Sequence, residues 1–367
     1  MTPLRIRAID WLRGLVIALM TVDHAGTIFD AAHLHGDNAL RWVVGSPLPP
    51  GEFLTRWITH LCAPVFVLLA GASLALSAEK RKGQPGQTRF IVTRGLFILA
   101  LDPLWMSLGF AKYDRFVFQV LYALGLSMVC MALLRRLSSR ALLVGAAALT
   151  GLHELSDLWH PVEQPFHALW GYLFVGGPVF VRTVCAYPVV PWLAIMMAGW
   201  VLGRWFLEPR TPAQRARTLA LLGLSLLGLF VVVRGLDGYG NWNLHREGPG
   251  LLQWLHVAKY PPSLSYVCLE LGLGLGLLAL FVWIDVPGRE RPWLAPLSLF
   301  GASAFFYYLL HVHLMAGVQQ VLGLDTHVDG LLRTWVAAGL TLAVLAGPCW
   351  LYRRYKAAHP DGWTRYV

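Results

Sequence analysis

The stretch Arg7–Gly26, which reads RAIDWLRGLVIALMTVDHAG, decides the fold. Most of it is apolar, and it has about the 20 residues that an α-helix needs to cross a bilayer. It nevertheless carries Asp10, Arg13, Asp23 and His24. Polar side chains are costly within a membrane and usually face a bundle interior or an aqueous cavity. The stretch therefore predicts a spanning helix with one polar side.

The rest of the chain has the same apolar character. Its 367 residues are 56% hydrophobic and only 14% charged, which leaves too little polar surface for a soluble domain of this length. We expect an all-α, polytopic integral membrane helix bundle that forms one transmembrane domain over residues 1–367. A membrane β-barrel would show alternating segments of about ten residues, and the sequence does not have this pattern.

Apolar runs predict about ten spanning helices. We place them near residues 10–31, 55–78, 90–110, 117–135, 140–157, 187–207, 216–235, 262–285, 296–320 and 329–352. The apolar segment 168–184 contains paired glycines and a proline, and is expected to be re-entrant, interfacial or an additional span.

Basic residues predict the topology. The net charge is +10, and Lys and Arg are concentrated in every second connection, with examples at Arg7, Lys80, Arg135, Arg204 and Arg289. The positive-inside rule places these connections and both termini in the cytoplasm. Topology accounts for the charge, so we expect no nucleic-acid partner.

Histidines follow the opposite distribution. Of the 13 histidines, all but His359 fall on the outer side or in the outer half of a predicted helix. The positive-inside rule tolerates uncharged histidine on the outer side, which would explain part of this distribution; proton chemistry near the outer face is the other explanation. The pairs at 33/35 and 311/313 have no carboxylates nearby at a familiar ligand spacing, so we expect no metal site.

The five cysteines lie in or beside apolar runs and are expected to be buried hydrophobic residues.

The first helix carries a polar stripe. Arg13 and His24 are eleven residues apart, which is almost three whole turns, so they share one face at a separation of roughly 16 Å. Asp10 lies on the same face. This spacing suits a two-ended ligand with an anionic head at Arg13 and a reactive end at His24. Coenzyme A has that form, although an interfacial ion pair and a water-facing histidine would give the same pattern.

Several motifs resemble a known family. The segment IDWLRGLVIALMTVDH resembles the start of the acyltransferase-3 superfamily, whose first helix carries an Arg and a His at this spacing. The segments THLCAPVFVLLAGASLALS (59–77), YPVVPWLAIMMAGWVLGRW (187–205), KYPPSLSYVCLELG (259–272), SAFFYYLLHVHLM (303–315) and WTRYV (363–367) resemble, in order, the bacterial relatives of heparan-α-glucosaminide N-acetyltransferase.

The resemblance implies an acetyl transfer across the bacterial cytoplasmic (inner) membrane. The donor would be cytoplasmic acetyl-CoA, and the acceptor an amine or hydroxyl, often of a sugar, on the far side. His24 is the first candidate for the general base. His35 is a second, because the lysosomal branch of the family has its catalytic histidine in the loop after the first helix. Both general-base catalysis and an acyl-histidine intermediate remain open.

Other polar residues in apolar surroundings are assigned to the same site. Asp23 or Asp102 would orient His24. Arg13 and Arg94 would bind the phosphates of the donor, and Asp10 would belong to the same donor site beside Arg13. Four residues are candidates for binding the acceptor: His60, Lys259, His311 and Glu270. A carboxyl such as Asp102 or Glu270 needs a partner when it is buried.

Two other functions fit the sequence. A proton-coupled small-molecule transporter could use the buried Asp, Glu and His side chains as a proton relay. In a membrane scaffold or sensor, replacement of Arg13 and His24 would have no biochemical effect. The expected partners of the enzyme are acetyl-CoA, a sugar or glycan acceptor and membrane lipids, with a homo-oligomer also open.

Overall fold

The apolar runs fold into helices. A computed structural model describes residues 6–30, 32, 33, 36–111, 114–159, 163–286, 288–324, 330–359, 362 and 364. Its α-helices are α1 Arg7–Phe29, α2 Pro50–His60, α3 Cys62–Lys80, α4 Gln87–Leu101, α5 Ser107–Ala111, α6 Val120–Leu134, α7 Ser139–Leu152, α8 Phe166–Trp170, α9 Val189–Phe206, α10 Pro212–Leu236, α11 Leu251–Leu255, α12 Leu264–Ile284, α13 Ala295–Ala302, α14 Ala304–Val321 and α15 Leu331–Ala358. The predicted all-α architecture is confirmed.

Eight helical runs within these described ranges are long and apolar enough to cross a membrane, and nine if one bent pair is a single span. The predicted helix at 117–135 corresponds to α6, which has 15 residues and is therefore only about 22 Å long. That is shorter than the hydrocarbon core of about 30 Å. The chain is an integral membrane protein, and its described residues contain slightly fewer full-length spans than the ten predicted.

The predicted helix 296–320 is broken. The segments Pro292–Ala302 and Ala304–Val321 meet at an angle of 80°. Ser303 lies at the break with φ −116° and ψ 20°, and its hydroxyl donates to the carbonyl oxygen of Leu299 at 2.7 Å. A serine that bonds back to the preceding turn favours a bend of this kind.

The segment 168–184 does not form an additional span. It contains the end of α8, a π-helical turn at Gly171–Val175 and two short strands, β2 Gly177–Phe180 and β3 Thr183–Cys185. Together with β1, Phe116–Phe118, these form a small sheet in the order β1-β3-β2, with β1 parallel and β2 antiparallel to β3. Gly176 lies at φ 82°, a conformation that favours glycine.

The first helix lies at the centre of the bundle. It packs against α2, α3, α12, α13, α14 and α15. At its crossing with α13, a side chain at Gly14 would collide with the backbone of Leu297, and one at Gly301 with the backbone of Asp10. Small residues allow this close approach of two helices. Because α1 is surrounded, its polar stripe faces protein rather than lipid.

Peripheral helices present apolar side chains outward. Val144 on α7, Leu224 on α10 and Leu340 on α15 are each more than 60% exposed. Only about a quarter of the most apolar part of each of these helical runs is buried within the protein. These surfaces are suited to contact with lipid tails.

Candidate active site

A small cavity of about 30 Å³ surrounds His24, toward the C-terminal end of α1. We call it the histidine cavity, and it is lined by Val16, Met20, Asp23, His24, Cys62, Ala63, Phe66, Gln119, Val120, Tyr187, Lys259 and Tyr308. Half of these side chains carry a strongly polar group. The cavity is therefore suited to a small polar group, with polar and apolar side chains both in its wall.

His24 contacts a second histidine. Its Nδ1 lies 2.6 Å from Nε2 of His311, and Nδ1 of His311 lies 2.8 Å from the carbonyl oxygen of Tyr308. A carbonyl only accepts, so we assign the proton of neutral His311 to Nδ1, and its Nε2 then accepts from Nδ1–H of His24. Nε2 of His24 has no hydrogen-bond partner among the described residues. This nitrogen keeps a lone pair that can take up a proton.

Asp23 belongs to a different set of contacts. Its carboxylate accepts hydrogen bonds from the Arg56 guanidinium and, at 2.8 Å, from the hydroxyl of Thr59. Arg56 also donates to the carboxylate of Asp37 at 2.7 Å. Asp23 lines the histidine cavity but orients Arg56 instead of His24.

His60 completes this buried network. Its Nε2 lies 3.1 Å from the carboxylate of Asp37, and both side chains are almost inaccessible to solvent. Burial alone would raise the pKa of Asp37, but the Arg56 guanidinium and the hydrogen bond to His60 hold that pKa well below its usual range. Asp37 is therefore ionised at neutral pH. His60 does not line the histidine cavity and is linked to it only through Asp37, Arg56 and Asp23.

Lys259 supplies a buried positive charge to the cavity wall. Its side chain is buried, with 2% of the residue exposed, and its ammonium has no hydrogen bond or ion pair in the part of the chain that the structure describes. Burial disfavours this charge, but Tyr260, Asp23 and Asp37 raise the pKa of Lys259 above its ordinary value. A buried ammonium without an acceptor can bind an oxygen that carries negative charge.

A second and larger cavity, of about 200 Å³, lies nearer the basic end of α1. We call it the cationic cavity, because Arg13, Arg94 and Lys356 line it and no described acidic side chain does. Its other lining residues are Phe66, Ala70, Ser73, Leu74, Ile98, Leu124, Met128, Gly301, Ala302, Ser303, Ala304, Phe305, Phe306 and Tyr352.

Arg13 and Arg94 differ in how they are held. Arg13 donates to Asp10 at 3.1 Å, to the carbonyl oxygen of Gly301 at 3.1 Å and to the hydroxyl of Ser73 at 2.7 Å. Asp10 lies outside the cavity lining and acts by positioning Arg13. Arg94, in contrast, has neither a hydrogen bond nor an ion pair among the residues described, so its guanidinium is available to an anion.

The two cavities have one lining residue in common. Phe66 of α3 lines both of them, and α1 lines both through Arg13 at one end and His24 at the other. The two ends of the polar stripe of α1 therefore face two spaces inside the bundle that share one lining residue.

Asp102 and Glu270 lie outside both cavities. The structure places Asp102 at the N-terminus of α6, where its carboxylate accepts from the backbone N–H groups of Gln119 at 2.7 Å and Tyr122 at 2.6 Å. This corrects its predicted role, because it caps a helix and His311 is the partner of His24. Glu270 is 1% exposed in α12 and lines neither cavity. His35 lies outside the described residues.

Four residues of the site had no strong signal in the sequence. Arg56 and Asp37 form a hydrogen bond that no local sequence pattern predicts. Lys356 lies at the basic end of α15, and the positive-inside rule already explains basic residues there. Tyr308 stands in an aromatic run, FFYY, three residues before His311. The i, i+3 spacing on a helix is the one signal that could have placed it beside His311.

A family model described as heparan-alpha-glucosaminide N-acetyltransferase, catalytic, matches residues 5–232. The match covers well over half of the chain and includes Arg13, Asp23, His24 and Arg94. Lys259, Tyr308 and His311 lie beyond the matched range. No curated protein matches the chain.

Proposed function

Because the chain belongs to the heparan-alpha-glucosaminide N-acetyltransferase family, a family of transmembrane acetyltransferases, we propose that its two cavities hold the two ends of acetyl-CoA. The acetyl group would then pass to an amine or hydroxyl of a sugar that reaches the histidine cavity from the opposite side of the membrane. The observation that carries this proposal is that Arg13 and His24, on one helix, line two cavities that share Phe66.

The cationic cavity suits the phosphates of the donor. Arg94 has no anionic partner among the described residues, and Arg13 and Lys356 add two further positive charges. The first residues of α14, Ala304 to Phe306, line the same cavity. The first N–H groups of a helix have no partner within it, and together with the helix dipole they favour an anion. Charge and free N–H groups therefore support a phosphate site.

The histidine cavity suits the transfer itself. The acceptor nitrogen or oxygen attacks the thioester carbon, and the carbonyl electron pair moves onto oxygen as the new bond forms. His24 Nε2 takes the acceptor proton while its Nδ1–H stays bonded to His311. The carbonyl then reforms, the C–S bond breaks, and the CoA thiolate takes a proton from His24.

Lys259 lies on the same wall as His24. Its ammonium would stabilise the negative charge that develops on the thioester oxygen. Preorganised positive groups in a water-poor site contribute strongly to acyl transfer. The carboxylates of Asp23 and Asp37 would keep Lys259 charged, and Arg56 and His60 would hold these two carboxylates in place.

A turnover assay in detergent tests the proposed function. Purified protein with acetyl-CoA and glucosamine is expected to release free CoA and form an acetylated sugar without any gradient. A proton-coupled transporter would require sealed vesicles with a gradient and would leave both compounds chemically unchanged. Detection of gradient-driven uptake without acetylated product would contradict our proposal.

Replacement of Arg94 by glutamine is expected to raise the KM for acetyl-CoA by about 10- to 100-fold, since a hydrogen bond to a charged group contributes roughly 1.5–3 kcal/mol. The KM for S-acetylpantetheine, which lacks the nucleotide phosphates, should stay the same. Steady-state kinetics with both donors measure this difference. Arg136→Gln, at an exposed position on the basic side, is the control. An equal rise with both donors would contradict phosphate binding by Arg94.

A further inference from the structure

Two neighbouring tyrosines of α14 are buried in different ways. Tyr307 and Tyr308 are at most 2% exposed. The Tyr307 hydroxyl lies 2.8 Å from the hydroxyl of Thr21. The Tyr308 hydroxyl is fully shielded and has no hydrogen-bond partner among the described residues. Tyr308 therefore carries a hydroxyl that a bound ligand could satisfy.

A buried hydroxyl without a partner is costly. Leaving such a group unsatisfied costs about 1–3 kcal/mol, and phenylalanine would fill nearly the same space without that cost. Tyr308 lines the histidine cavity together with His24 and Lys259, and its ring lies 6.4 Å from that of His24 in an edge-on arrangement. The residues Tyr308, Lys259 and His24 thus line one cavity of about 30 Å³, and Tyr308 brings an unsatisfied hydroxyl to its wall.

We propose that Tyr308 is a catalytic residue whose hydroxyl donates a hydrogen bond to the thioester oxygen as that oxygen becomes negative. This inference rests on the proposed function. The phenol keeps its proton throughout. The carbonyl pair moves onto oxygen when the acceptor bonds to carbon, and it returns when the C–S bond breaks. Tyr308 and Lys259 then both stabilise the oxyanion, while His24 accepts the proton of the acceptor.

The backbone and the side chain of Tyr308 have separate roles. Its carbonyl oxygen accepts from His311 Nδ1 at 2.8 Å, which fixes the tautomer of the histidine pair. A change of Tyr308 to phenylalanine leaves this backbone contact in place and removes only the hydroxyl. The substitution therefore separates oxyanion stabilisation from positioning of His24.

The test compares Tyr308→Phe with Tyr307→Phe in the full-length protein in detergent. We expect kcat to fall about 10²–10³-fold in Tyr308→Phe, as when one oxyanion donor is removed, with unchanged KM for acetyl-CoA, unchanged CoA binding and an unchanged shape of the pH profile. Tyr307→Phe should keep kcat within a few-fold of the wild type.

Each other result has a definite meaning. A wild-type kcat in Tyr308→Phe would overturn the role of Tyr308 alone. A loss of CoA binding or of a single elution peak in this variant, or equal losses in both variants, would replace the catalytic role with a structural one. Absence of acetyl transfer by the wild-type protein would overturn the proposed function together with this inference.

Discussion

Replacement of His24 by alanine is expected to lower kcat by about 10²–10⁴-fold, the range typical of losing a general base. The protein should stay folded, because His24 makes its hydrogen bond to a neutral side chain and borders a cavity. CoA binding should persist, since the phosphate contacts that we propose are to Arg13, Arg94 and Lys356. Turnover in detergent and CoA binding by calorimetry measure the two quantities.

The matched control for His24 is His313→Ala. His313 is also a half-buried histidine, but its Nε2 bonds to the carbonyl oxygen of Trp105 at 3.1 Å and it lines neither cavity. It should retain most of the activity. Full activity of His24→Ala would rule out His24 as the base.

Replacement of Arg56 by glutamine is expected to have the largest effect on stability. Arg56 is 6% exposed and donates to both Asp23 and Asp37. Its removal leaves two buried carboxylates without their common cation. Breaking a buried ion pair by removing one partner costs about 3–5 kcal/mol, so we expect a marked drop in the unfolding temperature and in the yield of folded protein.

Two comparisons isolate the cause of this loss. Arg7 pairs with Asp285 at a partly exposed helix start, and Arg7→Gln should cost at most about 1 kcal/mol. Adding Asp23→Asn and Asp37→Asn to Arg56→Gln removes the unpaired charges and should recover part of the stability. A triple variant no more stable than Arg56→Gln would contradict the electrostatic explanation.

The sequence predicted the features that depend on the order of residues within one helix, such as apolar runs and the spacing of polar side chains. The helical runs are apolar over about 20 residues, and Arg13 and His24 share a face because eleven residues make nearly three turns. The central place of α1 was also implied, since its polar stripe could not face lipid. The structure bears out both the bundle and the arrangement of this helix.

The residues that the sequence misjudged depend on contacts across the chain. Asp102 was expected to pair with a charged or titratable side chain, but backbone N–H groups at the start of α6 satisfy it. The partner of Asp23 is Arg56, which is distant in sequence, and the partner of His24 is His311, from another helix. The break at Ser303 depends on one hydroxyl bonding back to the preceding turn, which an apolar run does not reveal.

The position of Phe66 also has a consequence for the cell. The polar stripe of α1 has polar groups near both ends of the helix. A continuous aqueous path between these ends would let ions leak through the membrane and dissipate the ion gradients of the cell. Phe66 borders both cavities, and we expect its aromatic ring to place hydrocarbon between them, since ions do not readily cross a dewetted constriction. In the proposed function, acetyl transfer would then link the two sides of the membrane while the bilayer stays electrically insulating.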